Sequence, residues 1–82
     1  MYFVYAIKSR KKDWVYVGIS SDVARRLKQH NSGYNRSTKA YIPFDLVYLE
    51  ELEDRITARK REKYLKTASG KRWLKYQISK TS

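Results

Sequence analysis

The chain has no cysteine and a single histidine, His30. The missing cysteine excludes a disulfide scaffold, a thiolate zinc site and a cysteine nucleophile. One histidine excludes a His-rich metal cage built within the chain. Acids are scarce as well: 8 Asp and Glu stand against 19 Lys and Arg, a formal net charge of +11. Long apolar runs are absent. Tyr2 to Ile7 is apolar, but it runs straight into Lys8, Arg10, Lys11 and Lys12. It is too short for a signal-peptide core and far short of the ~20 residues a spanning helix needs. Without cysteines or a signal, the expected compartment is a reducing cytoplasm.

At 82 residues, the expectation is one domain over 1–82, with no separate DNA-recognition or cofactor domain. A chain this short buries only roughly 60% of the surface it exposes when unfolded. With 41% hydrophobic and 15% aromatic residues, eight of them Tyr, it still has the material for a core and does not read as a disordered basic tail. The positive charge is a statement about partners. Nucleic acid is the partner expected. An anionic membrane surface is the other polyanion on offer, but no helix carries the basic, Trp- and Leu-rich amphipathic pattern of a surface anchor. No membrane partner is expected.

Tyr2 to Ile7 reads as a buried strand, rich in aromatic and β-branched residues. Ser9 to Asp13 reads as a hairpin loop, and Trp14 to Ile19 as a second strand. Ser21 or Asp22 can cap a helix from Val23 to Asn31, with Gly33 as its stop. Tyr34 to Tyr41 is polar and reads as mobile. Phe44 to Leu49 follows Pro43 as a third strand. Asp54 can cap a second helix from Arg55 to Thr67, which Gly70 interrupts. A third, from Lys71 to Ile78, carries Trp73, Leu74 and Ile78 on one face. The expected fold class is α+β: a small, three-stranded, mainly antiparallel sheet flanked by three helices.

Arg26 and His30 are four apart and share a helix face. Arg26 neighbours the apolar side marked by Val23 and Leu27, so it points to the sheet edge. The ordinary alternative is a solvated Arg with its stem on the core, beside a half-exposed His. Glu62 falls with Ala58 and Leu65 on one side of the second helix. A carboxylate there needs an arginine, a metal ion, or Lys66 at i+4. Tyr5 and Tyr16 flank the first loop, where packing alone would account for them. Two basic stretches, Lys8 to Lys12 and Arg55 to Lys66, form separate positive stripes.

Together these residues match the needs of phosphodiester cleavage: a base, positive charge for the transition state, and help for the leaving oxygen. One well-placed Glu suits a one-metal scheme. Mg²⁺ fits it, with Mn²⁺ as the alternative, because Mg²⁺ keeps most of its waters and accepts one or two carboxylates plus phosphate. A tyrosine base needs its pKa of about 10 lowered. Arg26 and a bound cation are the expected cause, with His30 accepting the proton.

In this order and spacing the chain resembles the GIY-YIG endonuclease family, specifically its small standalone bacterial members. Phe3-Val4-Tyr5 stands where the family has GIY. After ten intervening residues, Tyr16-Val17-Gly18 stands where it has YIG. Asp22 to His30 matches the helix bearing the catalytic arginine, at Arg26, and Arg61-Glu62 the helix bearing the metal-binding glutamate. Two positions depart from the pattern: Phe3 replaces the first Gly, and Ile19 stands where some members have Lys.

The resemblance implies a metal-dependent DNA endonuclease with weak sequence preference, acting in repair or recombination. Tyr5 would be the general base or its relay, and Tyr16 would orient the water or phosphate. Arg26 would stabilise phosphate charge, and His30 would take the proton from Tyr5. Glu62 would be the one protein ligand to the metal, and Gly18 would let the backbone pack beside the site. Lys8, Arg10, Lys11, Lys12, Arg36 and Lys39 are the residues expected to touch nucleic acid. RNA stays open beside DNA, sequence specificity could come from a partner protein, and oligomeric state is not legible. The alternative function is a non-catalytic basic nucleic-acid-binding module.

Overall fold

The computed structural model describes residues 1–81. Strand β1 (Tyr2–Ser9) is followed by β2 (Val15–Ser20), α1 (Val23–Asn31), a 3₁₀ turn (Lys39–Tyr41), β3 (Phe44–Leu52), α2 (Arg55–Leu65) and α3 (Ala68–Thr81). The sheet has the order β2-β1-β3, and both pairings are antiparallel. The expected class, an α+β fold with a three-stranded antiparallel sheet and three helices, is the observed one.

β1 is central and covered on both faces. That is why Val4, Tyr5, Ala6 and Ile7 are all buried, where a half-exposed strand would alternate. Val4, Ala6 and Val17 face one way and pack against Ala58, Leu65 and Leu74 from α2 and α3. Tyr5 and Ile7 face the other way, against Val23 and Phe44. The sheet therefore separates an aliphatic core from an aromatic, polar one. The register places Tyr5 opposite Gly18, and Ile7 opposite Tyr16. Val47 is an extra residue on β3, between Ala6↔Tyr48 and Ile7↔Leu46.

Asp22 and Asp54 cap α1 and α2 as expected, accepting from the backbone N–H of Arg25 and Thr57. β1 and β3 run longer than the hydrophobic pattern suggests, because pairing continues through polar residues to Ser9 and Leu52. Gly70 does not interrupt a helix; it lies in the first turn of α3. The break falls at Lys66 and Thr67. The Thr67 hydroxyl donates to the Tyr64 carbonyl and accepts from the Gly70 N–H, tying the end of one helix to the start of the next. Gly70 is buried because α3 presses onto the end of α2. A β-carbon there would collide with the Tyr64 carbonyl oxygen and with Leu65 Cα.

Gly70→Ala thus reverses a familiar sign. In an open helix position the change stabilises by about 0.5–1 kcal/mol. Here we expect a loss of about 1–3 kcal/mol or more, as for overpacking. Urea unfolding of the variant checks this, and an unchanged or raised midpoint would contradict the packing.

Candidate active site

The site grows from the face of the sheet that α1 covers. β1 carries Tyr5 there, β2 carries Tyr16 and Gly18, and α1 carries Arg26 and, one turn later, His30. A β-carbon at residue 18 would lie 2.7 Å from the Tyr5 hydroxyl oxygen and 3.0 Å from a Tyr16 ring carbon. Only glycine leaves room for the Tyr5 ring to lie across β2.

Tyr5 is fully buried, and its hydroxyl lies 3.0 Å from His30 Nε2. His30 is buried too, at 1% exposure, so the half-exposed alternative is wrong: helix α1 is short, and its last turn tucks the ring under the chain that follows. That chain supplies a partner sequence reasoning missed. His30 Nδ1 lies 3.0 Å from the Thr38 hydroxyl, which donates its own proton to the Asn35 carbonyl. A hydroxyl has one proton to give. With that proton given to Asn35, Thr38 accepts from Nδ1–H, and Nε2 is left bare to accept the Tyr5 proton. The tautomer follows from this network.

The segment 34–41, expected to be mobile, is thus packed down at Thr38 and Tyr41. Thr38 is buried, and Tyr41 stacks on Trp14 with ring centroids 4.1 Å apart. Asn31 clasps the start of β3, accepting from the Phe44 N–H and donating to its carbonyl. A polar loop with one short threonine carries no periodicity, so nothing in the sequence flags Thr38.

Burial raises the Tyr5 pKa, with Arg26 as the largest opposing influence. The expected lowering is therefore overturned in the metal-free chain, because desolvation of a phenolate outweighs the guanidinium. His30 is lowered, first by burial and then by Arg26. Both groups are neutral near neutral pH. Arg26 donates to the Gln29 side chain at 3.2 Å, but its Nε is buried with no partner. An orphaned, buried guanidinium donor is costly. Tyr16 is only partly buried, its ring centroid 4.9 Å from that of His30.

Glu62 stands on α2 near enough to Tyr5 to help raise its pKa. It accepts from Lys66 at 3.0 Å, with its side chain 15% exposed. Lys66 in turn lies 6.0 Å from the Tyr16 ring centroid. Among the described residues no three His, Cys, Asp or Glu converge on a metal position. Glu62 is an oxygen donor of the kind a hard cation takes, with water and substrate oxygen completing its shell. Several of the residues expected to touch nucleic acid have partners within the chain. Arg10 makes a bidentate pair with Asp45 at 2.7 and 2.9 Å, Lys8 lies 3.9 Å from Asp13, and Lys12 sits over the Tyr41 ring. Lys11, Arg36 and Lys39 are exposed.

The GIY-YIG catalytic domain family matches residues 1–77, and the chain belongs to that family of nucleases. Its relatives include small bacterial UPF0213 proteins. One from Staphylococcus saprophyticus is 35% identical over 75 residues, covering 90% of this chain and 90% of its own length. Another, from Desulfotalea psychrophila, is 39% identical over 70 residues, covering 83% of this chain, which spans 63% of that relative. The solution NMR structure of a UPF0213 protein from Bacillus halodurans matches with a TM-score of 0.55 at 27% identity, over 96% of this chain and 94% of that one. No helix among the described residues is long and apolar enough to cross a membrane.

The lowered His30 value has a consequence for stability. Below its ordinary value of about 6.5, the unfolded chain binds more protons than the folded one. This contribution is complete above about pH 6.5 and is lost as pH falls from there through the depressed folded value. Asp45 and Asp54, both held low, act in the same direction only below about pH 4. We expect the urea midpoint to drop between about pH 7 and about pH 5, and His30→Gln to remove that drop. An equal drop in the variant would contradict the assignment.

Proposed function

We propose that the protein is a divalent-metal-dependent DNA endonuclease with weak sequence preference, suited to branched or flapped substrates in repair or recombination. The observation that carries the reading is the unpartnered, buried Nε of Arg26 beside a Tyr5–His30 pair already poised for proton transfer. A phosphodiester oxygen is the acceptor that guanidinium lacks.

The residues divide the work by exposure. Tyr16, partly exposed, orients the attacking water. Tyr5, fully buried, acts as a relay. Arg26 lies against the Tyr5 hydroxyl, so drawing its guanidinium onto the phosphate uncovers that hydroxyl to the water. The water's proton passes to the Tyr5 oxygen as Tyr5 gives its own to His30 Nε2. The imidazolium keeps Nδ1–H on Thr38. Its charge forms beside Arg26 only as negative charge grows on the phosphate, which offsets the repulsion. Glu62 would hold the cation once Lys66 turns aside. When bound, the cation supplies charge neutralisation at the phosphate and leaving oxygen.

The Glu62–Lys66 ion pair favours a second reading, the non-catalytic nucleic-acid-binding module. Plasmid nicking and cleavage of branched oligonucleotides, with Mg²⁺, Mn²⁺ or EDTA, separate the two. We expect Arg26→Ala to lose about 10²–10³-fold in rate, as for removal of a transition-state donor. Glu62→Ala should remove the metal-dependent cutting, and Tyr5→Phe should also be slow. Salt-sensitive binding with no cutting in any metal would leave the binding module standing.

A further inference from the structure

A cavity of about 510 Å³ runs along the free edge of β2, between that strand and α2 and α3. Its floor is apolar, built from Val15, Val17, Leu65 and Leu74. Its rim is basic: Lys66, Lys71 and Lys75 line it, against Asp13 alone on the acidic side. Lys71 and Lys75 are one turn apart on α3, about 6 Å along the axis, and both are exposed. Trp14 and Tyr16 line the groove too, so it shares the partly buried Tyr16 with the site.

An apolar floor with a basic rim is the chemistry of a single nucleic-acid strand, whose base faces need cover and whose phosphates need cations. A duplex hides its base faces and has no use for such a floor. An acidic peptide would satisfy the lysines, but would give no reason for the groove to include Tyr16, a residue of the site. We propose that the groove holds the single-stranded nucleic acid flanking the phosphodiester presented to Tyr16 and Arg26. The inference rests on the reading of that site as a nuclease centre and names the part of the substrate it grips. It also assigns a contact role to Lys66, Lys71 and Lys75, outside the cations expected from sequence.

The test is fluorescence anisotropy of a labelled oligothymidylate titrated over a salt series in EDTA, so that binding is read without cutting. Removing two phosphate contacts with the double variant Lys71→Ala/Lys75→Ala should weaken binding. It should also flatten the slope of log affinity against log salt by about 1.4, at about 0.7 per contact on a single strand. The conservative pair Lys71→Arg/Lys75→Arg should restore the slope. Arg55→Ala/Arg59→Ala, which removes equal charge from an exposed part of α2 outside the groove, should leave it unchanged. An unchanged slope in the groove variant overturns the proposal, as does an equal loss in the α2 variant. Displacement of the oligonucleotide by polyglutamate at equal charge concentration also overturns it. Cleavage is scored separately with Mg²⁺. Groove-dependent binding without cutting upholds the groove and sinks the nuclease reading. Cutting by a chain whose groove variant binds like wild type does the reverse.

Discussion

The hydrogen bond from the buried Tyr5 hydroxyl to His30 Nε2 is the constraint around which the rest of this small structure is arranged. Two polar groups held this far from water are tolerated only if every partner is in place. Tyr5 must sit on the central strand to be covered from both sides. Residue 18 must lack a side chain so that the ring fits across β2. The far nitrogen of His30 needs Thr38, and Thr38 needs the turn that Asn35 begins. The Trp14–Tyr41 stack and the Asn31 clasp on Phe44 hold that turn and the start of β3 against the site. Removing the side chain of Tyr5, His30 or Thr38 leaves an orphaned donor or acceptor, a cost of about 1–3 kcal/mol, in a domain with little stability to spare.

The charge distribution gives this buried network a direction. On the proposed reading the proton path would run inward, from the partly exposed Tyr16 surface to Tyr5 and His30, with Thr38 behind them. Positive charge is kept at the outer end, in Arg26 and Lys66. In the metal-free chain both cations are held by neighbours, Arg26 loosely through Gln29 and Lys66 through Glu62. A polyanion competes for both. In the proposed mechanism its arrival would uncover Tyr5 and free the Glu62 carboxylate together, linking substrate binding to assembly of the site.

Much of this could be read from the sequence, and for identifiable reasons. The apolar strands and the Asp caps are local signals, and they located three strands and two helix starts. The order and spacing of Tyr5, Tyr16, Arg26, His30 and Glu62 carry the family, which the family match over residues 1–77 shows. What escaped depended on long-range packing. Gly70 looks like a helix breaker in isolation, yet serves as a contact between α2 and α3. Thr38 is one polar residue among many until His30 is seen beneath it. The sign of the Tyr5 shift needed the balance between burial and Arg26, and no pattern of residue types contains that balance. The basic loop Lys8 to Lys12 drew attention as a charge run, whereas two of its cations are paired with Asp13 and Asp45. The lysines on the groove rim are spread between two helices.

The central claim is that His30 presents a bare Nε2 to Tyr5 and a protonated Nδ1 to Thr38. Long-range ¹⁵N–¹H correlation spectra of the imidazole ring, taken at neutral pH without metal, test it most directly. The account predicts a neutral ring in the Nδ1–H tautomer, and an exchange-protected Tyr5 hydroxyl proton. An Nε2–H tautomer, or an imidazolium, would contradict it, because Tyr5 would then have no base to receive its proton.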